Sequence, residues 1–291
     1  MIQDKAYEFM VKYTPQREWI EERGMLLWLS TFFVEVGAAA FIFGALLGSA
    51  GSMIIGMIMC AVVGGGLHLA DLGRPLRFWR ILLSSTWKTS WIVRGIWSIN
   101  LFVVFGAMYL ALALAGIEVS LLLILAVVFA LCTILYFGFL LSYVKGIALW
   151  NNGLLPILVL VISLWGGLNV FALYLLLSGV GTDAVRLWSW IFPVLVLFTL
   201  FFYLMGVRYR GTGGGASFNE FVSKRRGLFW VGIVLLGLVF PATVKLIDAF
   251  ASGLPGLLVG IAVLLELGAN LSLRYCIFKC ALYEPVISDM V

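Results

Sequence analysis

Eight mostly apolar stretches of about 20 or more residues follow one another along this chain, and no other feature restricts its fold as strongly. They fall at about 24–48, 52–70, 91–115, 119–145, 153–177, 186–208, 227–248 and 254–279. A helix needs about 20 such residues to cross the hydrocarbon core of a bilayer. Inside lipid the backbone must satisfy its own hydrogen bonds, so only helices and closed barrels can span. Barrel strands would be short and alternating, and these runs do not alternate. The expected fold is therefore all-α and integral to the membrane, with eight transmembrane helices. Composition agrees: 63% of residues are hydrophobic and 11% charged, against roughly 25% charged in soluble domains.

Residues 1–23 are mixed in charge and lack the apolar core of a signal peptide. The first run is thus expected to remain as a helix, with the head (Trp19, Glu21, Glu22, Arg23) lying along the membrane surface as an interfacial segment. The body divides into a first half, 24–145, a second half, 146–279, and a tail, 280–291. An even number of spans puts both termini on one side. All basic residues except Arg186 and Lys245 fall on that side, which the positive-inside rule assigns to the cytoplasm. The long connections 71–90 and 209–226 also lie there, whereas the opposite turns, near Ser49–Gly51 and Gly116–Glu118, are short. A charged, tryptophan-bearing face suits a docked peripheral subunit; binding of anionic lipid headgroups is the plainer reading. The glycine-rich stretch Gly211–Ser217 lacks the spacing of a phosphate cradle and is expected to be a flexible connection.

The chain contains one histidine, His68. A haem b held by two axial imidazoles is therefore not expected within it. The cysteines Cys60, Cys132, Cys276 and Cys280 form no C-x-x-C cluster, which argues against an internal iron–sulfur centre or other metal site; small buried thiols are the expected reading. Any electron transfer through this chain would need a diffusible carrier such as quinone, or a redox partner.

The second span ends in His68-Leu-Ala-Asp71-Leu-Gly-Arg74-Pro-Leu-Arg77-Phe-Trp79-Arg80. His68 and Asp71 are three apart and share a helix face, while Gly73 and Pro75 end the helix. A carboxylate, an imidazole and several guanidiniums thus meet at the membrane edge. Read structurally, the same turn is an interfacial anchor with Trp79 in an aromatic belt. The segment resembles the signature of the NrfD/PsrC family, the membrane subunits of polysulfide-reductase-like complexes. A second stretch is similar too: Tyr136-Phe-Gly138-Phe-Leu-Leu141, then Trp150-Asn-Asn-Gly-Leu-Leu-Pro156.

The resemblance implies two four-helix bundles and a quinol site, with menaquinone expected, beside a docked iron–sulfur subunit. That subunit would pass electrons to a catalytic subunit, possibly of molybdopterin type. The membrane subunit itself would carry no haem and no metal. Tyr136 matches the family's quinone-site tyrosine, and His68 or Asp71 would accept a proton. Arg74, Arg77, Trp79 and Arg80 would support docking. Some relatives carry a histidine near the first helix; here Glu21 and Glu22 stand in that stretch as candidate pocket residues.

Charges at bilayer depth are costly and are functional candidates by default. Glu35 lies about 11 residues into the first span, roughly 17 Å deep at 1.5 Å per residue. Glu266 lies near the middle of the last span, with Asn270 one turn on; Asn100 and Asn169 add polar groups. Lys245 and Asp248 are three apart and are expected to pair, with Pro241 opening the backbone before them. Glu35, Glu266, Lys245 and Asp248 are stations of a candidate proton path, or else charges that hold helices together.

The leading expectation is a quinol/quinone-binding membrane anchor of a multi-subunit respiratory oxidoreductase in a prokaryotic cytoplasmic membrane, with no role for nucleic acid. A secondary transporter is the alternative from another class: intramembrane charges and the glycine interruptions at Gly64–Gly66 and Gly166–Gly167 suit it. A purely structural anchor is the third.

Overall fold

A computed structural model describes residues 11–251 and 254–285. Eight helices are long and apolar enough to span: α1 (Gly24–Leu46), α2 (Ala50–Asp71), α3 (Trp91–Leu114), α4 (Ser120–Ser142), α5 (Leu155–Leu177), α6 (Ala184–Arg208), α7 (Gly227–Asp248) and α8 (Gly256–Lys279). Short turns join them on the less basic side. Gly48 and Gly116 end α1 and α3 with φ of +67° and +81°, a left-handed backbone that glycine adopts without a Cβ clash. Ser49 and Ser90 then cap α2 and α3 by accepting from Ser52 N and Val93 N.

α1 packs on α2, α4 and α5, and α5 packs on α4, α6 and α8. α3 lies against α2 and α4, and α7 lies against α6 and α8. The central pair is α1 and α5, where Ala38, Ala39 and Ala40 are fully buried. A Cβ on Gly167 would lie 2.4 Å from that of Ala39, so small side chains set this close crossing, as is usual between helices in lipid. One apolar cluster runs from Tyr136 and Phe137 of α4 through Trp150 and Trp165 to Tyr203 of α6 and Phe278 of α8. A second, built on Phe41, Phe102 and Ile134, fills the space among α1–α4. The hydrophobic interior is thus shared between the two halves of the chain. Phe198, Phe201 and Phe202 of α6 are exposed and face lipid.

Two spans are not uniformly α-helical. α2 widens into a π-helix over Ile58–Gly64, and α7 does so over Gly227–Val239. Pro241 follows the second stretch where ordinary winding resumes; it has no N–H to place in either ladder.

The basic side is where the chain differs most from its sequence-based reading. Gly211–Ser217 is not a loose connection: Gly211–Asn219 is a helix. Glycine costs about 1 kcal/mol in a helix interior, and close packing offsets that cost here. A Cβ on Gly214 would lie 2.1 Å from the Val207 carbonyl oxygen, and one on Gly213 2.4 Å from Glu284 Oε1. At Gly214 only bare backbone fits against the end of α6, while at Gly213 a Cβ would have to displace the Glu284 side chain.

The described part of the N-terminal head is fastened rather than loosely laid on the surface. β1 (Thr14–Pro15) pairs antiparallel with β2 (Leu282–Tyr283), and Gln16 N donates to the Ala281 carbonyl at 2.9 Å. Trp19 packs on Trp150 and Phe278, and Glu21 forms an ion pair with Lys279. The hydrogen bond from Lys279 holds the Glu21 carboxyl below its ordinary 4.5. A depressed carboxyl contributes stability above its unfolded value and loses it as pH falls through its native value. The clasp is therefore expected to loosen below pH 4.5, seen during acid titration as a step in tryptophan fluorescence that Trp19→Phe removes. Lys279→Met should abolish that step; an unchanged titration would show that the pair does not hold the clasp.

Candidate functional site

Three spans meet at the lone histidine. His68 stands four residues beyond the π-helical stretch of α2. Widened turns of this kind occur often at functional sites. Its Nδ1 contacts Ser30 Oγ of α1, and its Nε2 lies 3.3 Å from the Tyr136 hydroxyl of α4. The Tyr136 ring is buried flat against α3 because residue 95 is glycine: a Cβ there would sit 2.2 Å from Tyr136 Cδ2.

These groups border a cavity of about 560 Å³ beneath the basic face. Apolar side chains dominate its wall, among them Leu69, Ile81, Ile96 and Val103. The residues on the wall that carry polar groups are Glu18, Trp19, His68, Asp71, Asn100 and Tyr136. Size, apolar lining and a few convergent polar groups are the usual marks of a ligand pocket. Arg23 donates to the Ala70 carbonyl at 3.1 Å and so caps the end of α2 near Asp71.

The structure therefore brings His68, Asp71 and Tyr136 to one cavity. Glu21 and Glu22 do not line it. Glu21 is engaged with Lys279, and Glu22 turns the chain with φ of +50°. The head contributes Glu18 and Trp19 instead. Arg74, Arg77, Trp79 and Arg80 are exposed in the turn after α2, with the Arg80 guanidinium over the Trp79 ring. Phe78 and Ile81 from the same turn close one side of the cavity.

A second polar cluster lies deeper. Glu35 of α1 is fully buried and forms an ion pair with Arg274 of α8. Ser163 Oγ of α5 accepts from Arg274 Nη2 at 2.7 Å and has its single proton to share between Glu35 Oε2 at 2.9 Å and the Val159 carbonyl at 2.6 Å. Arg274 Nε donates to Asn270 Oδ1 at 3.1 Å. One further turn along α8, Glu266 accepts from Lys245 Nζ at 2.6 Å. The expected Lys245–Asp248 pair is corrected by this contact: Lys245 turns inward to the buried carboxylate of another helix, where low dielectric strengthens the attraction. Asp248 stays half-buried on α7.

Arg274 is the main residue that sequence reasoning misplaced, having counted it with the basic-side charges. The signal was present: Glu266, Asn270 and Arg274 recur every four residues and so share a face of α8. Ser30 and Gly95 carry no such signal; each matters only through what another helix brings to it.

A family model described as "Polysulphide reductase, NrfD" matches residues 23–284. The matched region contains His68, Tyr136 and both buried ion pairs, and excludes Glu18 and Trp19. None of the curated proteins compared matches this chain.

Proposed function

The chain belongs to the NrfD family of polysulphide reductase membrane subunits, and from that membership we propose that it is the quinol-reacting subunit of a respiratory oxidoreductase complex. The observation that carries this reading is the cavity. Its volume of about 560 Å³ and apolar wall suit a quinone ring, and the polar groups of His68, Asp71, Asn100 and Tyr136 converge where ring oxygens would lie. Quinol, menaquinol by expectation, supplies a two-electron, two-proton couple when bound. Tyr136 orients a ring oxygen, and His68 or Asp71 takes up a proton.

The exposed turn Arg74–Arg80 next to the cavity is the proposed seat of an iron–sulfur subunit, which hands electrons to a catalytic subunit, possibly of molybdopterin type. Arginine suits such an interface because it both pairs with carboxylates and stacks on rings. The membrane is taken to be the cytoplasmic membrane of a prokaryote, with the basic face and both termini inside. Glu35, which pairs with Arg274, and the Glu266–Lys245 pair two turns away along α8 are the proposed inner stations for protons, with Asp248 near the far end.

Quinol oxidation by the purified complex tests the site. Tyr136→Phe removes one hydrogen-bonding oxygen from the cavity, and turnover is expected to fall about tenfold, the equivalent of about 1.4 kcal/mol. A wild-type rate would remove the phenol from the mechanism.

A further inference from the structure

The hydrogen bonds around His68 have a direction, and it follows from proton counting. Ser30 Oγ lies 2.7 Å from the Leu27 carbonyl oxygen. A carbonyl can only accept, so the single hydroxyl proton of Ser30 occupies that contact. Ser30 Oγ then has only lone pairs to offer His68, and Nδ1 must be the nitrogen that carries hydrogen. In neutral imidazole the other nitrogen is bare. Nε2 is therefore an acceptor, and the Tyr136 hydroxyl donates to it across 3.3 Å.

The phenol proton is thus already committed inside the protein. What Tyr136 turns to the cavity is an oxygen lone pair. Asn100 on the same wall is similar: its Nδ2 donates to the Ile96 carbonyl at 2.8 Å, which fixes the amide orientation and leaves Oδ1 without a hydrogen bond among the described residues. Of the remaining polar residues of the wall, Glu18 and Asp71 are carboxylates, which accept when ionised, and Trp19 adds a single indole N–H, so acceptors outnumber donors.

We infer that Ser30 is a positioning residue: it locks His68 in the Nδ1–H form, makes Tyr136 an acceptor towards the cavity, and so tunes the pocket to the hydroxyl-bearing, reduced form of its ligand. The ligand half of this inference rests on the quinone reading above; the tautomer half does not. The sequence makes the two separable, because His68 is the only histidine in the chain.

The first experiment is nitrogen NMR on the full chain in lipid, carrying 15N-histidine. The expected spectrum has one protonated nitrogen, assigned to Nδ1, and one bare nitrogen. In Ser30→Ala, protonation should move substantially to Nε2, while Ser30→Thr, which keeps the hydroxyl, should restore it. A wild-type ring protonated at Nε2, a doubly protonated ring, or a tautomer indifferent to Ser30→Ala would overturn the assignment.

The second experiment measures anaerobic binding of a short-chain naphthoquinone, reduced and oxidised, to the purified complex. Wild type should favour the reduced form, and Ser30→Ala should lower that preference about tenfold. Equal affinity of wild type for both forms would overturn the proposed polarity of the pocket. Failure of wild type to bind either form would strike the quinone reading and the ligand half together, leaving the tautomer to stand on its own spectrum.

Discussion

Arg274→Met is expected to destabilise the protein by about 3–5 kcal/mol, the range seen when one partner of a buried ion pair is removed. Methionine keeps the apolar stem but not the guanidinium, so the variant removes volume as well as charge, and a second variant separates the two. Glu35 would remain at 1% exposure with only the Ser163 hydroxyl at 2.9 Å to solvate it, and Asn270 Oδ1 would lose its donor. The double variant Arg274→Met with Glu35→Gln should recover most of the loss, because no ionised group is then stranded. Midpoints of denaturation in mixed micelles would measure both. A double variant no more stable than the single one would show that the cost lies in packing.

Gly95→Ala is expected to reduce quinol turnover more than Tyr136→Phe does, by well over tenfold, although it alters no functional group. The added methyl would lie 2.2 Å from Tyr136 Cδ2 and 2.4 Å from Cε2. Both atoms belong to the body of a ring wedged in the core, where inserted methyls typically cost about 1–3 kcal/mol. The ring must shift, and the hydroxyl with it, away from His68 Nε2. Displacements of about 1 Å at a reacting group can cost on the order of a hundredfold in rate. Gly66→Ala is the control: nothing stands within 4 Å of a Cβ there, so turnover should be retained. Equal rates in the two variants would refute the role assigned to Gly95.

The spans were legible because crossing a bilayer demands one simple property over about 20 residues, and expected and observed boundaries differ by at most a few positions. His68, Asp71 and Tyr136 were legible through motif resemblance, and the structure brings them to one cavity. What the sequence hid was partner choice. Lys245 sits three residues from Asp248 and twenty-one from Glu266, yet its ammonium bonds Glu266. Separation along a chain says little once helices pack side by side. The glycine-rich stretch misled for a related reason: Gly214 is there because the Val207 carbonyl leaves no room for a Cβ, a tertiary contact that no local propensity encodes. The widened turns of α2 and α7 likewise carry no compositional mark.

The bond between Glu35 and Arg274 closes a gap of 239 residues. At ordinary rates of translation, the first helix waits on the order of tens of seconds for its countercharge to be synthesised. During that interval its carboxylate has no basic companion at that depth, and the nascent polypeptide is poorly suited to settle among lipids. Only when the last helix is in place does the opening one gain its countercharge, so the two ends of the chain are electrically completed together.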